Sequence, residues 1–142
     1  MTNLEKRQLN FKCRVFGQMF QRAVHYGNYN IRKFVKQLMT DKVYEDLLMI
    51  DERFEWADEC VLLSYLENTK SFNKCKGIVE EFDDYELKFI GHLYKYWMRT
   101  RNTKPSEVYK LLPFDKFHNN FGFYHTQGEE FIINDVIKEV EK

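Results

Sequence analysis

The sequence predicts an all-α helical bundle built from two related units on one core, and three observations predict it. Apolar residues recur at helical spacing along most of the 142 positions, and no segment sustains the alternation of a strand. Only two prolines interrupt the pattern. The chain also reads twice. At an offset of 74 residues Gly17 falls on Gly91, Asn28 on Asn102, Lys36 on Lys110, Leu38 on Leu112, and Asp41-Lys42 on Asp115-Lys116. Between these identities Phe20 matches Tyr94, Phe34 matches Val108 and Val43 matches Phe117. Extra residues in the second copy near Tyr124–Gln127 restore the register, with Glu52 on Glu129, Phe54 on Phe131 and Asp58 on Asp135. The units are expected at 5–68 and 78–141, joined by a polar connector over 69–77. With no Gly/Ser tract between them, they are expected to form one domain over 1–142.

The first helix is expected over 5–26, with Leu9, Cys13, Phe16, Phe20 and Val24 on its inner face. Gly27-Asn28 ends it, because both residues tolerate the left-handed conformation of a C-terminal cap. Asn30 caps a short helix that turns Ile31, Phe34, Val35 and Leu38 inward. Thr40 or Asp41 opens another, carrying Val43, Tyr44, Leu47 and Leu48. A longer helix is expected from Asp51 through Phe54, Ala57, Val61, Leu62 and Tyr65 to about Asn68. After the connector comes a short Ile78-Val79 helix or turn. A long helix then runs from about Asp83 to Arg101, with Leu87, Ile90, Leu93, Tyr94, Trp97 and Met98 inside. Asn102-Thr103 closes it, and Pro105 suits the first position of the next helix. Pro113 breaks that run, Phe114–Phe121 makes another short helix, Gly122–Gly128 is a loop, and Glu129–Val140 closes the fold.

Composition narrows the function. Lysine plus arginine equals aspartate plus glutamate, so net charge is zero, whereas nucleic-acid binders usually carry a positive excess. The opening MTNLEKRQLNFKCRVFGQMF scatters charge through itself and is expected to be neither signal peptide nor membrane anchor. Cys13, Cys60 and Cys75, odd in number and far apart, suit reduced, buried thiols in a cytoplasm. His25, His92, His118 and His125 show no metal-ligand spacing, and the carboxylate runs lack the pattern of a calcium loop. No metal or cofactor is therefore expected. Nor is any catalytic constellation recognised, since the phosphate loop, dinucleotide glycines and nucleophile elbow are all missing.

The most distinctive local feature is the run from Phe121 to Gly128, which holds two glycines and His125, Thr126 and Gln127. As a contact surface, Tyr124 would supply apolar area and His125, Thr126 and Gln127 would supply hydrogen bonds, above a Trp97 core anchor. As structure alone, Thr126 or Gln127 would cap the last helix and His125 would tie down the loop. A second reading takes the segment after Pro105 as a helix-turn-helix. Arg99, Arg101, Lys116 and Asn119, with His118 and Asn120, would then face DNA. Against it stand Glu45 and Asp46, which sit beside Lys42 on the equivalent face of the first unit, and the core spacing of Tyr94, Trp97 and Met98.

The order Tyr94-x-x-Trp97, Ser106–Leu111, then Tyr124-His125-Thr126-Gln127-Gly128 followed by Phe131-Ile132-Ile133-Asn134-Asp135-Val136-Ile137 resembles a group of small helical proteins of Firmicutes and related bacteria. Some of them are encoded beside domains like ADP-ribosyltransferase toxins. The resemblance implies an accessory or antitoxin-like role with another protein as partner. It holds over the second unit. In the first, Met49-Ile50-Asp51 stands where the His-Thr-Gln-Gly loop would be.

Overall fold

A computed structural model describes residues 1–49, 57–69, 72 and 75–141. Among them the protein is all helix, with no strand. The elements are α1 (Asn3–His25), α2 (Ile31–Thr40), a 3-10 turn (Lys42–Tyr44), α3 (Glu45–Met49), α4 (Glu59–Glu67), α5 (Asp84–Arg101), α6 (Pro105–Leu111), α7 (Phe114–Asn119), α8 (Phe121–Tyr124) and α9 (Glu129–Glu141). No described helix is long and apolar enough to cross a membrane.

The caps follow from the residues available. Thr2 and Glu5 form a reciprocal capping box at α1, and Asn30 Oδ1 accepts from Lys33 N–H at α2. Asp58 caps α4 and Asp83 caps α5. Asn28 and Asn102, just past the ends of α1 and α5, take positive φ values of 55° and 48°. Asparagine tolerates that conformation and lets the chain turn sharply after each long helix.

α5 packs most extensively on α1, running antiparallel to it, with His25 at the end of α1 bonded to Asp84 at the start of α5. Two glycines make the close approach. A Cβ on Gly91 would lie 2.6 Å from the Gly17 Cα, and one on Gly17 would lie 2.4 Å from the Lys88 carbonyl oxygen. No larger residue fits without separating the helices. Around this seam Phe20, Phe34, Leu38, Tyr94, Trp97, Val108, Leu112, Ile132 and Val136 belong to one continuous core. Tyr94 Oη donates to the Leu112 carbonyl at 2.7 Å, which satisfies the one polar atom its ring carries inside.

Several expectations need correction. Val43 is 70% exposed, because the 3-10 turn aims Tyr44 and Leu48 inward in its place. α4 buries Leu63 and Leu66, while the expected inner residues Val61 and Tyr65 face outward. Of the helix expected from Asp51 to about Asn68, positions 51–56, Phe54 among them, lie outside the described residues, and the described remainder forms α4 from Glu59 to Glu67. Ile78-Val79 is irregular and exposed. The connector is more than polar spacer. Phe72 sits among Tyr29, Phe34 and Tyr44, and Cys75 is buried, its carbonyl accepting from Asn30 N–H. The expected Phe114–Phe121 helix breaks at Asn120, and Phe121–Tyr124 is helical, so the loop shrinks to His125–Gly128.

Candidate binding face

The chain reaches this face through an aromatic stack. Phe117, buried on α7, is stacked with Phe89 of α5 at 5.9 Å and with Tyr124 of α8 at 6.0 Å. Phe121 touches Phe117, Tyr85, Phe89 and His125. Tyr124 is thus part of the core at 3% exposure, and burial raises its phenol pKa. Its expected role as an exposed contact is corrected on that ground: a ring at this depth has no area left for a partner.

His125 and Thr126 are exposed and Gln127 is half-buried. Thr126 Oγ1 donates to the Phe123 carbonyl at 2.8 Å and Gln127 Nε2 donates to Thr126 Oγ1 at 3.1 Å. The hydroxyl therefore closes α8, and it is the Gly128 carbonyl that receives the first α9 bond, from Ile132 N–H. α9 is stapled to α5 by its first two residues. Glu129 pairs with His92 Nδ1 at 2.6 Å, while Tyr96 Oη and Arg101 donate to Glu130 at 2.8 and 2.7 Å. The bonds from Arg101 and Tyr96 hold the Glu130 carboxyl below its usual range. These contacts fix the loop on a rigid frame.

Two surfaces flank it. On one, Phe123 and Phe131 meet edge to face at 6.1 Å while each remains about half exposed, at 50% and 49%. On the other lies an open cleft of about 500 Å³ between α1, α5 and the loop. Its walls include the rings of Tyr85 and Phe89, the cations Arg14 and Lys88, and the Gln127-Gly128 segment. A Cβ on Gly128 would meet nothing within 4 Å, so this rim is unobstructed. The phenylalanine pair was missed in the sequence, although Phe131 stands off the inner face that Ile132, Ile133 and Val136 define.

The residues expected to face DNA are used inside the fold. Arg99 donates to the Met49 carbonyl, Arg101 to Glu130 and Asn134, and Lys116 pairs with Glu139 at 3.2 Å. His118 is bonded to Glu86 at 2.5 Å, and Asn120 donates to the Lys116 carbonyl. Asn119 is exposed at the end of α7, a helix of six residues whose Phe114 and Phe117 point into the core. Among the described residues no group of three His, Cys, Asp or Glu is placed to hold a metal ion. The Cys13 thiol, fully buried, has its pKa pushed up to about 12 by desolvation and by the nearby Glu129, which makes it a poor nucleophile.

Compared with protein-family models, curated proteins and solved structures, the chain matches none.

Proposed function

We propose that this protein is a non-catalytic protein-binding module of a bacterial accessory, defence or toxin–antitoxin-type locus, acting in the cytoplasm. The observation that carries the proposal is the exposed Phe123–Phe131 pair beside the exposed His125. Two aromatic rings held together at the surface of a small helical protein offer anchoring area at low entropic cost, and the polar loop beside them offers directional hydrogen bonds. The resemblance of the second unit to proteins encoded next to toxin-like domains points the same way. It suggests that the partner is a protein.

The chain is further proposed to descend from one helical unit doubled and fused. Support comes from matched positions with matched roles. Gly17 and Gly91 face each other, Asn28 and Asn102 share the left-handed conformation, and Leu38 and Leu112 are both fully buried. Only the second unit carries the His-Thr-Gln-Gly loop, so one binding face per chain is expected.

The test is affinity capture from a lysate of the source bacterium after nuclease treatment, with wild type and the Phe123→Ser/Phe131→Ser variant. The proposal expects one stoichiometric protein on the wild type and its loss on the variant, with circular dichroism melts alike. Equal recovery on both would overturn it.

A further inference from the structure

We propose that the cleft beside the loop takes the C-terminal carboxylate and last apolar side chain of the partner protein. This rests on the protein-binding reading above and adds which part of the partner enters.

Three features of the cleft set the chemistry. Its floor is aromatic, with the Tyr85 and Phe89 rings 6.0 Å apart and edge to face, which suits one apolar or aromatic side chain. Its cations come from two helices, Arg14 from α1 and Lys88 from α5, as does the histidine His92. The one carboxylate that lines it is Glu129, whose Oε1 is paired with His92 and whose Oε2 is buried with no hydrogen-bond partner among the described residues. Arg14 and Lys88 outnumber it, so the balance of charge at the cleft is positive and suits an anion. A monoanion carried on an apolar body matches both walls.

The groove does not stop there. Gln18 and Lys88 also line an adjoining polar trough that runs along the same helix pair to the His25–Asp84 bond. From Arg14 to His25 the α1 side of this groove is roughly 16 Å long, at about 1.5 Å rise per residue. An extended chain of about five residues spans that length at roughly 3.3 Å each. Gln18 and Gln21, the latter bonded to Asp84, line the trough with amides, groups that both donate to and accept from a peptide backbone. A free aromatic acid would leave this trough empty, whereas a chain end would fill both parts.

The experiment is a titration of the 15N-labelled protein, followed by amide chemical shifts. The probes are the pentapeptide Ala-Ala-Ala-Ala-Phe with a free carboxylate, the same peptide as its C-terminal amide, and 3-phenylpropionate. The free-acid peptide is expected to shift the amides of Phe89, Gln127 and Gly128. It should bind at least about tenfold more tightly than either other probe, on the scale of one charge-assisted contact. The Arg14→Ala/Lys88→Ala variant, altered only at exposed residues, should keep its fold and lose that preference. Equal binding of acid and amide peptides would overturn the proposal. So would equal binding of 3-phenylpropionate, which would make this a small-acid site, and so would no shift at these amides. If captured partner is lost with Phe123→Ser/Phe131→Ser but kept with Arg14→Ala/Lys88→Ala, the chain-end proposal fails while the binding-module reading stands.

Discussion

Gly91→Ala is predicted to destabilise this protein, against the direction that helix propensity gives. In a helix interior alanine is favoured over glycine by about 1 kcal/mol. Here the added Cβ would sit 2.6 Å from the Gly17 Cα and 3.1 Å from the Phe16 carbonyl oxygen, both backbone atoms of α1. Carbon atoms rest at about 3.5–4.0 Å, so the two helices must part by roughly 1 Å. Their neighbours at the seam, Phe20, Ile90, Tyr94 and Met98, are at most fractionally exposed and cannot flow into the gap. Overpacking of this kind costs about 1–3 kcal/mol and more when the obstacle is backbone. The net loss is then roughly 2 kcal/mol after the propensity gain. For a domain of this size that lowers Tm by about 5–8 °C. Thermal and urea melts of Gly91→Ala should be run beside Gly122→Ala, a helical glycine whose Cβ would meet nothing within 4 Å. Gly122→Ala should be neutral or slightly stabilising. A Gly91→Ala protein as stable as wild type, or more so, would refute the packing argument at the seam.

Other expectations follow from single residues. Lys95 is 9% exposed, donates to the Leu48 carbonyl at 2.5 Å, and has its pKa lowered from 10.5 to about 7 by desolvation, then by Arg99. Because the folded value lies below the unfolded one, the unfolded chain binds the extra proton between about pH 7 and 10.5, and stability rises with pH across that window. Below about pH 7 the full cost is on the order of 4–5 kcal/mol, so Lys95→Met, which forgoes a hydrogen bond worth about 1–3 kcal/mol, should be the more stable protein at pH 6, with the advantage shrinking towards pH 10. Urea melts at both pH values check this, and parallel profiles would contradict it. Asn28→Ala and Asn102→Ala should each cost about 1 kcal/mol, since alanine at positive φ is strained; unchanged melting midpoints would count against the cap assignment. On DNA-cellulose at low salt the protein should not be retained, because Arg99, Arg101 and Lys116 are spent on internal partners. Salt-sensitive retention that is lost in Arg101→Ala would restore the helix-turn-helix reading.

The long helices were legible because each level of signal agrees in them. α1 and α5 combine an apolar stripe with a capping residue in front and an asparagine behind, and all six expected inner residues of α5 are buried. Short elements were harder. In the nine-residue α4 nearly every position from Cys60 to Leu66 is apolar, so spacing alone does not choose Leu63 and Leu66 over Val61 and Tyr65. Phe72 stands between polar residues, and only the ring cluster of Tyr29, Phe34 and Tyr44, distant in sequence, accounts for its burial. Of the residues expected on a contact surface, His125 and Thr126 are exposed, Gln127 is half-buried and Tyr124 is turned inward by the α8 turn, while the exposed rings nearby are Phe123 and Phe131. The cleft joins Arg14 to residues more than seventy positions later, and no local pattern announces such a juxtaposition.

The most direct measurement is photo-cross-linking in the source cell. A photoreactive phenylalanine analogue replaces Phe123 in one strain and Val43, another exposed apolar position on a different element, in a second. If the face beside the His125–Gly128 loop is the binding surface, illumination yields one discrete protein adduct from position 123 and none from position 43. Adducts from both positions alike, or none from position 123 in cells that express the protein folded, would contradict the account.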